Sequence, residues 1–152
     1  MKQASAVLVF LLLSSVFAQA QKEFKIVDAT ERSWAGGMPQ SGHGTSYTVR
    51  VVLLSKKAIT FEDAWIGDKY VTTKSDQYHV SNDHHATKGD TVSVTFALNV
   101  MPQRDPVPEP KPVTKEKPCV YKGAALLGYT VGGKERYRTI SAFTRLAPAN
   151  YP

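Results

Sequence analysis

The sequence predicts an all-β fold, an antiparallel β-sandwich of about seven strands. Three observations predict it. Apolar residues recur with period two in several segments, and glycine-centred turns separate some of those segments. No amphipathic helix lies between them, which excludes the alternating strand and helix order of parallel α/β folds.

The first element is not part of that fold. Met1 and Lys2 form a short positive start, and Ala6 to Phe17 is an apolar run broken only by Ser14 and Ser15. A membrane helix needs roughly 20 such residues and a secretory signal about 7 to 15, so the run reads as a signal. Ala18-Gln19-Ala20 supplies the small residues that signal peptidase accepts, and cleavage is expected after Ala20. No Cys follows that site to accept a lipid, and no second apolar stretch appears downstream. The expected mature protein is soluble rather than membrane-spanning, and secreted or periplasmic. Removing the first 20 of 152 residues leaves 132, the size of a single domain over residues 21–152. Loss of Lys2 lowers the formal charge from +6 to +5. Such an excess favours anionic surfaces without implying nucleic acid. Cys119 stands alone, so no intramolecular disulfide can form and an apolar core must hold the fold. Its thiol is expected to be buried and inert, or else open to an intermolecular bond.

Phe24 to Ala29 reads as a short first strand. From Tyr47 to Leu53, Tyr47, Val49, Val51 and Leu53 face one way and Ser46, Thr48 and Arg50 the other. Ile59 to Ile66 is a further strand, with Ile59, Phe61 and Trp65 expected on one face. Gly67-Asp68 then makes a two-residue hairpin turn that sets Trp65 opposite Tyr70. After the turn residues Lys88-Gly89-Asp90, Val92, Val94, Phe96, Leu98 and Val100 alternate with polar or small residues; a helix would scatter them over several faces. Gly132-Gly133 marks a second hairpin with arms Val120 to Val131 and Lys134 to Leu146, long enough that a bulge is expected, as at Gly128. Immunoglobulin-like or fibronectin-like architecture fits this strand number and size, although the Cys and Trp spacing of antibody domains is absent.

Two connections interrupt the strands. Residues 102–118 hold six prolines among charged residues and read as an extended, partly polyproline-II crossover, with partner docking as the alternative. Trp34 to Gly44 holds four glycines and reads as a loop. It is not a phosphate loop, because no Gly-Lys-Ser/Thr follows and the next element is a strand.

Chemistry is sparse. His79, His84 and His85, with His43 from the glycine loop, are suitable metal ligands, and Asp83 lies among them, but no ligand-spacing motif accompanies them. There is no Gly-x-Ser-x-Gly elbow; Glu62 and Asp63 are neighbours on a strand, expected on opposite faces; nothing near Cys119 activates a thiol. The reading is therefore non-catalytic, with no cofactor. Lys134, Arg136 and Arg138 alternate on one face of the last hairpin and could meet an acidic glycan or protein, while Tyr70 and Tyr129 offer aromatic surface.

Ser33-Trp34-Ala35-Gly36-Gly37, Ser41-Gly42-His43-Gly44-Thr45 leading into Tyr47, Trp65 before its turn, Lys122-Gly123-Ala124-Ala125-Leu126 and the closing Leu146 to Pro152 resemble small exported proteins of Gram-negative bacteria. That resemblance covers most of residues 24 to 152 and implies no activity. The expected function is an exported binding or structural module of the cell envelope. The alternative is a periplasmic metal-binding protein that uses the histidines.

Overall fold

The computed structural model describes residues 23–38, 41–72, 78–81, 88–102 and 114–151. The expected signal segment, residues 1–20, lies outside them, as do His84, His85 and residues 103–113 of the proline-rich crossover. The described chain forms ten strands and no helix. They are β1 (Phe24–Gly36), β2 (His43–Leu53), β3 (Ile59–Ile66), β4 (Lys69–Thr72), β5 (Tyr78–Ser81), β6 (Thr91–Val100), β7 (Ala125–Val131), β8 (Lys134–Ile140), β9 (Thr144–Arg145) and β10 (Ala149–Tyr151). Two sheets form, one ordered β10-β1-β2-β6-β5 with β9 also on β1, the other β4-β3-β7-β8. Pairing is antiparallel except where β9 and β10 run parallel to β1, so the first sheet is mixed.

The sheets pack face to face. Phe24, Val49, Val51, Leu53, Val92, Val94 and Phe96 of the first meet Phe61, Ala64, Val71, Leu127, Tyr129 and Ile140 of the second in one apolar cluster. Phe24 bridges the two sheets, edge-on to Phe61 at 5.3 Å and to Tyr129 at 4.8 Å between ring centroids. The alternations expected in β2 and β6 are those observed: Val49, Val51, Val92, Val94 and Phe96 are buried, while Arg50 and Ser93 are exposed.

Three boundaries differ from expectation. The loop expected from Trp34 to Gly44 is shorter, falling between Gly36 and His43, because β1 continues to Gly36 and pairs with β2 as far as Ala35 opposite His43. β7 begins at Ala125 and β8 ends at Ile140, leaving Val120 fully exposed. Within the second sheet the bulge lies in β3, where the register shifts between Phe61 and Asp63, and β1 carries another between Ile26 and Asp28. Both glycine hairpins form as read. Trp65 pairs with Tyr70 across Gly67-Asp68, and Val131 pairs with Lys134 across Gly132 and Gly133, whose φ angles of 55° and 76° belong to a tight turn.

The β3 bulge reverses the expected face of Trp65. Phe61 and Ala64 point into the core, whereas Asp63 and Trp65 point to the outer face of the second sheet beside Leu126 and Gly128. Glu62, left without a register partner, accepts a hydrogen bond from Thr130 Oγ1 at 3.2 Å and does not oppose Asp63 as expected. Residues 114–124 strap this outer face. Trp65 Nε1 donates to the Lys115 carbonyl at 3.0 Å, and the Tyr121 hydroxyl reaches the Trp65 carbonyl at 3.2 Å and the Gly67 carbonyl at 3.1 Å. Trp65 is consequently 1 % exposed. Gly128 permits this packing, since a Cβ there would sit 3.2 Å from Asp63 Cβ and 3.5 Å from the Trp65 ring.

Candidate functional site

Among the described residues β8 is the edge of the second sheet, paired with β7 on one side only. Its seven residues exceed the other sheet-end strands β4, β5 and β10, which have four, four and three. Lys134, Arg136 and Arg138 are the register partners of Val131, Tyr129 and Leu127, all core-facing residues, so the three cations stand on the inner side of the edge. Period two unites them as expected, and the side they share is the seam between the sheets.

A notch of about 250 Å³ opens there, lined by Glu23, Ser55, Lys57, Val131, Gly132, Lys134 and Arg136. The segment before β1 and the β2–β3 loop build its far wall. The Glu23 carbonyl accepts from the Leu54 and Ser55 amides at 2.7 and 3.0 Å, and the Lys57 amide donates to Ser55 Oγ at 3.0 Å. Lys57 thereby reaches over the β7–β8 turn, its Cδ lying 4.0 Å from where a Gly132 Cβ would stand. Glu23 Oε1 pairs with the Arg136 guanidinium, while Oε2 is buried without a hydrogen-bond partner. Three cationic side chains thus line the notch against one carboxylate, and Arg138 continues the row. Tyr129 lies beneath them; burial first, then the Glu23 charge, raises its hydroxyl pKa, and Arg136 and Arg138 partly offset this. Tyr129 is 3 % exposed, so it belongs to the core and not to a binding surface as expected.

At the opposite end of the sheet lies a wider, open depression of about 480 Å³ among Gly67, Asp68, Lys117, Cys119, Val120, Tyr121 and Gly123. Its one lining cation, Lys117, is already paired with Asp68 at 2.6 Å, and that carboxylate both raises the ammonium pKa and has its own lowered. Cys119 is exposed here, contrary to the buried thiol expected, because it lies on the strap before β7 begins. Tyr70 donates its hydroxyl to Asp63 Oδ1 at 2.7 Å and its ring lies tilted against Trp65 at 5.2 Å, so it belongs to the strapped cluster.

Of the four histidines, the described residues place two. His43 pairs with Val100 and His79 with Ala97, on strands either side of β6, which at ordinary strand spacings sets their Cα atoms about 14 Å apart. Among the described residues no three His, Cys, Asp or Glu side chains gather as metal ligands; His84 and His85 lie outside them. Compared with known proteins, the chain matches no family model, no curated protein and no solved structure.

Sequence reasoning found Lys134, Arg136 and Arg138 but missed Glu23, Ser55 and Lys57. No local pattern links them to β8; Glu23 and Arg136 are 113 positions apart.

Proposed function

We propose that this chain is an exported, non-catalytic binding domain of the cell envelope, and that it holds an acidic partner at the β8 edge. The observation that carries the reading is the convergence of Lys57, Lys134 and Arg136 on one notch of the longest sheet edge among the described strands, against the single carboxylate of Glu23. Clustered cations attract anionic groups more strongly than scattered surface lysines do. The sequence of residues 1–20 supports export. Strand order supports an immunoglobulin-like arrangement: lettered along the chain as A, B, C, C′, D, E, F and G, β1 to β8 give sheets A-B-E-D and C′-C-F-G.

The test is binding of polyglutamate to the mature chain, followed by anisotropy of a dye on the exposed Cys119, at the far end of the sheet. Replacing Lys57, Lys134 and Arg138 by Ser leaves the Arg136–Glu23 pair intact. It is expected to weaken binding about tenfold or more and to flatten its salt dependence. Unchanged affinity, insensitive to salt, would overturn the proposal.

A further inference from the structure

We infer that the β8 edge recognises an extended protein segment with acidic residues at alternate positions, which joins the second sheet as an added strand. The inference rests on the acidic-partner reading and goes further by fixing the partner's form. Among the described residues no strand pairs with the outer side of β8, so its backbone hydrogen-bonding groups can template another. Lys134, Arg136 and Arg138 recur every second residue, about 7 Å apart, all on the seam side. An added strand continues the pleat. Residues on its seam side therefore stand opposite those cations at the ordinary spacing of about 5 Å, where carboxylates pair with Arg and Lys.

The other face of β8 sets the remaining positions. Glu135, Tyr137 and Thr139 lie on the strapped side, and Glu135 is already engaged with Lys115 at 3.1 Å. A carboxylate opposite Glu135 would be repelled, so the matching segment alternates acidic with neutral residues instead of being acidic throughout. The same row disfavours pairing between two copies of β8, which would set cation against cation. The partner is thus a foreign strand of complementary charge.

The experiment compares peptides binding to the full mature chain: alternating Glu and Thr, the same composition with the Glu residues contiguous, and the alternating peptide N-methylated along its backbone. The alternating peptide is expected to bind about tenfold tighter than the contiguous one, to slow amide hydrogen exchange in β8, and to lose binding on N-methylation. The double variant Lys134→Glu, Arg138→Glu is expected to transfer the preference to alternating Lys and Thr. Equal, salt-sensitive binding of both acidic peptides overturns the added strand and leaves the acidic-partner reading standing. Binding of a sulfated glycan such as heparin with no peptide binding does the same. No binding by any anion, polyglutamate included, overturns both.

Discussion

On the first sheet, the face turned away from the core carries Thr30, Thr48 and Thr95 in one rank across three strands, half-buried and bordered by exposed Arg32 and Arg50. On the second sheet the corresponding face is closed by residues 114–124, and Trp65 and Leu126 lie buried beneath. Sheets of one domain therefore differ in how many sides they use. The first is stabilised from within; the second is packed on both faces, like the central layer of a three-layer structure. The strapping layer is thin and mixed. Its apolar part is Trp65 among Leu126, Tyr70 and Tyr137, and its polar part is Asp63, which accepts from Tyr70 and pairs with Lys115 at 2.9 Å.

The sharpest way to break this comparison is Trp65→Ala. Loss of a fully buried tryptophan is expected to cost about 3–5 kcal/mol in urea unfolding, as much as Phe96→Ala between the sheets. A cost under about 1 kcal/mol would mean that the strap is not a packed layer. Gly128→Val is expected to destabilise by about 1–3 kcal/mol, because its side chain must displace Asp63 or the Trp65 ring.

Acid and alkali should loosen the strap from opposite directions. The hydrogen bond from Tyr137, then that from Lys115, lowers the Glu135 pKa below its ordinary 4.5. Its contribution is therefore present above that value and lost as pH falls through the lower folded one. Tyr137 is pushed up to about 12 by burial and by its bond to Glu135, so its contribution is complete below 10 and lost as pH rises through about 12. Lys115, raised by its bond to Asp63, acts in the same alkaline direction. In a Trp34→Phe background, Trp65 fluorescence is expected to be flat between these limits and to shift beyond each. The effect is modest because Glu135 is 48 % exposed. Smallest of all, Thr48→Ala on the open face is expected to change stability by no more than about 0.5 kcal/mol.

The same contrast explains what the sequence revealed. β2 and β6 were legible because one face of each is wet, which writes period two into the residues. In β7 both faces are buried, and Ala125 to Tyr129 is a continuous buried run with no alternation to mark its start. In β3 the bulge at Glu62 moved Trp65 to the face opposite Phe61, a change that no apolar count reveals. At the notch, period two united the β8 cations, but their facing side depended on pairing with β7, and Lys57 and Glu23 arrive through tertiary packing. Cys119 was misplaced for a related reason, since the apolar residues that follow it only enter a strand at Ala125.

The parallel pairing of β9 and β10 with β1 also bears on how the chain matures. Glu31 of β1 and Arg145 of β9 are joined across 114 positions, and Trp34 meets Ala149. While the polypeptide emerges from the ribosome, β1 and β2 can close their hairpin early. The other border of β1 then stays unpaired until β9 and β10 follow. That interval is when nascent chains are most open to mispairing with one another.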